Sequence, residues 1–189
     1  MSTADQAPGI VRLTLRLEGV TALDGPVKAL EPVVESWFGS GARGALLRGE
    51  WLGHAVHPVL TDLVLGVWTS ASLLDLIGGR DSSSDAQRLI GTGLLAAGPT
   101  AWTGWAEWSE LGPRDKRVGL VHAVSNGAAI GLYAASWLAR RRGRHHRGVG
   151  LALAGAGALT FGGYLGGHLS AGRKVTSRDP AYAEASAEF

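Results

Sequence analysis

Cysteine is absent from the 189-residue sequence, and charged residues make up only 18% of it. Without thiols the chain forms no disulfide, no thiolate metal site and no cysteine nucleophile, and it cannot ligate an iron–sulfur cluster by itself. A soluble domain typically carries about 25% charged residues. The low charge therefore points away from a soluble protein, and the charges that are present gather in short islands between uncharged stretches.

Several catalytic and targeting motifs are also missing from the sequence. It has no GxSxG elbow, no HExxH pair and no phosphate-binding loop, so no catalytic residue is assigned. The first 30 residues lack the apolar core of a signal peptide, and we expect membrane insertion to use later segments. The dense basic run at 140–147 is typical of a loop next to a membrane. We therefore expect no nucleic-acid partner.

Four nearly uncharged stretches, at about 56–77, 89–108, 118–138 and 149–169, dominate the sequence. Each has about the 20 residues that a helix needs to cross a hydrocarbon core of roughly 30 Å. Glycine and alanine are frequent in them, and small residues let membrane helices pack closely. The connections are short, which predicts up-and-down order. The sequence thus predicts an all-α, integral membrane four-helix up-and-down bundle with an N-terminal amphipathic helix.

The segments outside the bundle are predicted to be mainly polar. Residues 1–18 are expected to form a loosely ordered tail. Apolar residues between 20 and 38 recur at three- and four-residue spacing, which indicates an amphipathic helix on the membrane surface or on the bundle. The predicted organisation has three parts: a tail and amphipathic helix at 1–50, the four-helix domain at 51–172 and a polar C-terminal tail at 173–189.

Up-and-down order brings ionisable residues from all four helices to one end of the bundle. An ionisable side chain within a membrane segment is costly, so it usually faces a cavity, a partner or a cofactor. We therefore predict a metal site among these residues, and the three of them best placed to bind a haem are His57, His122 and His168. The full predicted ligand set is His54, His57, Asp62, Glu107, His122 and His168.

The opposite end of the predicted bundle carries the basic run. His145 and His146 lie in that run and are expected to be solvated. Asp75 is expected to be an interfacial group without a special role. The density of arginine at 140–147 favours the cytoplasm for this side, although the total number of basic residues on the two sides does not decide the orientation.

Four short motifs resemble a known bacterial family. The motifs are LGHAVHPVLTDL at 52–63, TGWAEW at 103–108, VHAVSN at 121–126 and YLGGHL at 164–169. In this order and spacing they resemble the four-helix membrane family called domain of unknown function 2231, over about 17–174. Glu107 stands where the family usually has aspartate.

The resemblance implies a location in the bacterial plasma membrane, as a multi-pass protein. It also implies a redox context, because some members of the family carry a Rieske iron–sulfur domain after the last helix. Here only a cysteine-free tail follows His168, so a Rieske-type or other redox partner would be a separate protein. The family has no established activity.

Three functions remain open from the sequence. The first is electron transfer through a haem b with two axial histidines from different helices. The second is a site for zinc or non-haem iron, with a hydrolytic reaction in which Glu107 or Asp62 acts as base. The third is a non-catalytic scaffold or accessory subunit whose polar residues hold the helices together.

Overall fold

The computed structural model describes residues 6–176 and 178–185, and helices dominate that part of the chain. Short 3₁₀ or π turns lie between several of them, and the β pairing within the described residues is a single bridge between His54 and Arg178. The helices are α1 (Gly9–Glu18), α2 (Asp24–Val34), α3 (Gly41–Arg48), α4 (His57–Ile77), α5 (Ser83–Ser109), α6 (Pro113–Arg141), α7 (His145–Gly167) and α8 (Pro180–Ala185).

Helices α4 to α7 form the predicted bundle. Helix α4 packs along α5 and α6 along α7, and contacts of α5 with α6 and of α4 with α7 join the two hairpins. Helices α4 and α6 are long and apolar enough to cross a membrane, as is α7 together with the π turn that extends it to Gly172. The prediction of an all-α membrane protein is confirmed.

Helix α5 differs from the other three long helices. It has 27 residues, more than the 21 of α4, but it does not reach the hydropathy of the three candidate spans. Its first two turns are polar, and the remainder contains glycine, threonine and three tryptophans. The stretch at 89–108 is nearly uncharged, but its glycines, threonines and tryptophans lower its mean hydropathy below that of a candidate span. Pro99 lies inside this helix, as expected for a membrane bundle.

The bundle has two distinct ends. We call the end that contains the start of α4 and the end of α5 the histidine end, because His57 and His122 lie there. We call the other end, which contains the α4–α5 and α6–α7 connections, the arginine end. Between them the core is aromatic: the Trp68 ring stacks on Tyr133 with centroids 4.0 Å apart, and its indole N–H donates to the carbonyl of Ile90 at 3.2 Å.

The N-terminal segment is more ordered than predicted. Residues 9–18 form helix α1 instead of a loose tail, because Leu17 packs against the ends of α6 and α7 and Glu18 is buried there. The alternation of apolar residues between Val11 and Leu17 concealed this helix. The predicted amphipathic helix corresponds to α2, whose Val27 and Val34 pack in one cluster with residues of α5 and α6.

The start of the C-terminal tail also lies against the histidine end. The Asp179 N–H donates to the carbonyl of Gly53 at 2.8 Å, and helix α8 follows. The Arg173 guanidinium lies 3.0 Å from the Asp115 carboxylate at the start of α6. The three N-terminal helices and this tail therefore surround one end of the bundle, and the arginine end has no such cover among the described residues.

Candidate functional site

His57 is the first residue of α4, and its ring contacts α5. Its Nδ1 atom lies 2.9 Å from the carbonyl oxygen of Thr100 and 3.3 Å from the hydroxyl of Thr103. A carbonyl oxygen only accepts hydrogen bonds, so Nδ1 carries the proton of this ring. In the neutral ring the lone pair is then on Nε2.

His122 makes the same kind of contact in the other hairpin. Its Nδ1 atom lies 2.7 Å from the carbonyl oxygen of Gly162 in α7, so this nitrogen also donates. The amide of Asn126, one turn further along α6, lies 3.0 Å from Nε2 and donates to it. Nε2 of His122 is therefore an acceptor, as it is in His57.

Glycines allow both rings to lie this close to a neighbouring helix. A Cβ atom on Gly104 would come within 2.8 Å of Cε1 of His57, and one on Gly166 would come within 2.9 Å of Cε1 of His122. Real Cβ contacts are almost never that short. Each ring therefore occupies a groove that a glycine leaves open, with the edge bearing Nδ1 turned toward that groove.

The two imidazoles face each other across the hairpins. Their ring centroids are 6.2 Å apart and their planes are almost perpendicular, at 82°. Of the ring atoms that border each glycine, Cε1 is nearest and Nε2 lies farther away than Nδ1, at 3.4 Å from a Cβ atom on Gly104 in His57 and at 3.8 Å from one on Gly166 in His122. Histidines that ligate metals typically have this arrangement, with one nitrogen donating to a carbonyl or carboxylate and the other left for the metal.

His168 lies apart from this pair. Its Nε2 atom is 2.9 Å from a carboxylate oxygen of Glu18, which is buried at the end of α1. Glu18 was not among the predicted site residues because residues 1–18 were expected to form a loose tail. His168 therefore joins the N-terminal helix to the end of α7.

The other three predicted ligands occupy different positions. His54 is exposed before α4, with Nδ1 3.0 Å from the carbonyl of Ala55. Asp62 is exposed on the outer face of α4. Glu107 is only 8% exposed and lies one turn after Thr103 on the same face of α5.

The six predicted ligands therefore do not converge on one point. Within 6–176 and 178–185, no three histidine, aspartate or glutamate side chains lie close enough together to hold a metal ion. The structure brings together two of the six, His57 and His122.

Ion pairs neutralise several cations around this end of the bundle. Arg117 donates to both carboxylate oxygens of Asp24, at 2.6 and 3.0 Å, and this hydrogen-bonded pair holds the pKa of Asp24 below its ordinary value. Lys116 lies 2.8 Å from Glu31, and Arg48 lies 3.3 Å from Glu110. These contacts fix α2 and α3 to the bundle.

The arginine end has its polar contact inside the bundle. The Arg140 guanidinium donates to both oxygens of Asp75, at 2.8 and 2.5 Å, and both side chains are almost fully buried. Arg140 also donates to Ser136 at 3.3 Å, and that hydroxyl donates to the carbonyl of Gly148 at 2.6 Å. The expectation that Asp75 is an interfacial group without a role is wrong, because its carboxylate neutralises Arg140 between α4 and α6.

The two histidines of the basic run are also held by neighbours. His145 is partly buried, with Nδ1 2.7 Å from the Ser83 hydroxyl, while His146 is exposed and lies 3.0 Å from Arg80. The prediction of a solvated histidine is confirmed for His146. His145 was expected to be solvated as well, but the start of α5 covers part of it.

A bundle of four long helices, three of which are long and apolar enough to cross a membrane, defines an α-helical membrane protein. The comparisons assign its family: the model of the predicted membrane protein family DUF2231 matches residues 53–179. That span is more than half of the chain, and the chain therefore belongs to this family. Neither a curated protein nor a solved structure matches it.

Proposed function

We propose that this chain is the membrane component of an electron-transfer system, with one iron centre bound between Nε2 of His57 and Nε2 of His122. The 6.2 Å separation of the two ring centroids is the observation that supports it most. Metal–imidazole bonds are about 2.0–2.1 Å long, so two rings with this separation are near enough to hold one iron between them. His57 and His122 would hold either the iron of a haem b or a non-haem iron.

The surroundings of the pair also support this proposal. Both Nδ1 protons are committed to backbone carbonyls, which fixes the tautomer and leaves Nε2 as the ligand atom. On binding, His122 would exchange the hydrogen bond from Asn126 for the metal. Iron held by these ligands would supply one-electron redox chemistry, and the protein would set its potential through ligand type and burial. A Rieske-type protein is one candidate for the separate redox partner.

The geometry gives less support to a hydrolytic zinc site. Catalytic zinc takes three protein ligands and a water molecule, whereas only two of the predicted ligands come together. Asp62, one of the two predicted bases, is exposed on the outer face of α4, away from the histidine pair.

An absorption spectrum of the detergent-purified protein, oxidised and then reduced with dithionite, tests the proposal together with metal analysis of the same sample. A Soret band that shifts on reduction, with about one iron per chain, would support haem binding. About one iron per chain without a Soret band would support a non-haem centre. Protein expressed with ample iron that contains neither would contradict the proposal.

A second candidate function is a structural clamp. The ring N–H groups of His57 and His122 already donate to backbone carbonyls, and each ring connects two helices. In that case His122→Ala would lower the free energy of unfolding by about 1–3 kcal/mol, and the wild-type protein would contain no iron. Iron in the wild type that disappears in His122→Ala would decide against a purely structural clamp.

A further inference from the structure

The α6–α7 connection presents a dense group of exposed cations. The chain turns at Gly143, which has a φ of 70° that favours glycine, and arginines lie on both sides of it. Arg141, Arg142, Arg144 and Arg147 are exposed, and no ion pair holds them in the part of the chain that the structure describes. We call these four residues the arginine surface.

The neighbouring Arg140 is not part of that surface. Its guanidinium points into the bundle and pairs with Asp75. This buried pair fixes the end of α6, so the arginine surface starts at a defined depth. Asp75 neutralises Arg140 inside the bundle and does not neutralise the four arginines of the arginine surface.

The position of Trp137 indicates where the arginine surface lies relative to the bilayer. The Arg141 guanidinium lies over the Trp137 ring, 4.8 Å from its centroid, and the indole packs against Gly91 of α5. Tryptophans near the ends of membrane helices typically lie at the level of the lipid headgroups. The arginines that follow Trp137 are therefore at the depth of the lipid phosphates.

We propose that the arginine surface binds the anionic headgroups of phospholipids in the leaflet around it. Guanidinium groups match phosphate oxygens in geometry and charge. A basic segment next to a membrane gains affinity for anionic lipid with each added arginine, and salt weakens it. The location at headgroup depth favours lipid over an acidic soluble protein as the occupant. This proposal does not depend on iron binding at the histidine end.

Thermal unfolding of the full chain in neutral detergent, titrated with dihexanoylphosphatidylglycerol or dihexanoylphosphatidylcholine, tests the proposal. A ligand that binds only the folded state raises Tm. We therefore expect the phosphatidylglycerol to raise Tm and the phosphatidylcholine to have little effect. The fourfold variant Arg141→Gln, Arg142→Gln, Arg144→Gln, Arg147→Gln should weaken the apparent affinity by about fivefold for each arginine removed. Raising the salt from about 50 to 500 mM should weaken it in the wild type.

Two variants serve as controls. The fourfold change Arg16→Gln, Lys28→Gln, Arg114→Gln, Lys174→Gln removes the same charge from exposed positions at the histidine end and should keep the response. The fourfold arginine-to-lysine variant of the arginine surface should also keep most of it, because the charge remains.

Four results would overturn the proposal. Two concern the variants: an undiminished rise in Tm in the glutamine variant of the arginine surface, or a loss in the histidine-end control as large as in that variant. Two concern the ligands: a rise in Tm with the phosphatidylcholine as large as with the phosphatidylglycerol, or full stabilisation by glycerol 3-phosphate, which has no acyl chains. The last result would assign the surface to a soluble phosphate, and stabilisation by an acidic polypeptide alone would assign it to a protein.

Discussion

The two ends of the bundle accommodate polar side chains between the helices in opposite ways. At the histidine end the half-buried side chains of His57 and His122 donate to backbone carbonyls, and ion pairs lie around them on the outside. At the arginine end an ion pair lies inside, and the exposed arginines lie outside. A buried cation is stable only beside its own anion, whereas an imidazole anchored through one nitrogen keeps the other as a ligand atom. The buried ion pair joins α4 to α6, and the anchored imidazoles suit binding.

The largest expected effect comes from breaking the ion pair at the arginine end. Asp75→Asn leaves the Arg140 cation buried without a counter-charge, so we expect the free energy of unfolding to fall by about 3–5 kcal/mol. Unfolding with sodium dodecyl sulfate in mixed micelles measures the change.

The double variant Asp75→Leu, Arg140→Met is the matched comparison. It removes both charges, and an apolar replacement of a buried pair is often neutral, so it should recover most of the loss. The exposed substitution Arg141→Gln should change stability by no more than about 0.5 kcal/mol. A double variant as unstable as Asp75→Asn would show that the ion pair itself is not the reason for the loss.

An intermediate effect is expected from the glycine grooves at the histidine end. In Gly166→Ala the new methyl group would come within 2.9 Å of His122, and in Gly104→Ala within 2.8 Å of His57. Each change should cost about 1–3 kcal/mol of unfolding free energy because the ring must move, and should also lower the iron content.

Two glycines of the same helices provide controls for that prediction. A Cβ atom on Gly163 or on Gly98 meets no atom within 4 Å. Gly163→Ala and Gly98→Ala should therefore leave stability unchanged or slightly raised, since alanine favours the helix. Equal losses in the groove variants and the controls would mean that helix packing in general, and not the position of the rings, is disturbed.

The smallest expected effect concerns the ion pairs on the outer surface of the histidine end. Hydrogen bonding to Arg117 lowers the pKa of Asp24 in the folded protein. The stabilisation is therefore present above the unfolded pKa of about 3.9 and is lost as the pH falls through the lower folded value. Asp24→Asn should lower Tm slightly at about pH 6, and its curve should merge with the wild type as Asp24 is protonated. A difference that persists undiminished at low pH would exclude this ion pair as its cause.

The fold was predictable where periodicity and length were strong. Uncharged stretches of about 20 residues gave the four long helices, because few other structures satisfy the backbone of such segments in a membrane. Helix α1 was missed since its residues alternate in a pattern closer to that of a strand, and its helical form depends on contacts with α6 and α7. Asp75 was misjudged because nothing local in the sequence connects it to Arg140, 65 residues later.

The candidate site was predictable only in part. Up-and-down order correctly placed His57 and His122 at the same end of the bundle, but it gives a level along the axis and not a direction around each helix. Asp62 is at the predicted level and faces outward, while His168 faces Glu18. Side-chain direction depends on the rotation of each helix, which is set by the packing of glycines such as Gly104 and Gly166.

The most direct test of the central claim is the iron content per chain of His122→Ala compared with His168→Ala, both purified like the wild type. Both histidines were candidates from the sequence, and both make a hydrogen bond with a different helix. We predict that His122→Ala loses the iron of the wild type and that His168→Ala keeps it. Full iron in His122→Ala, or loss of iron in His168→Ala alone, would contradict a centre held between His57 and His122.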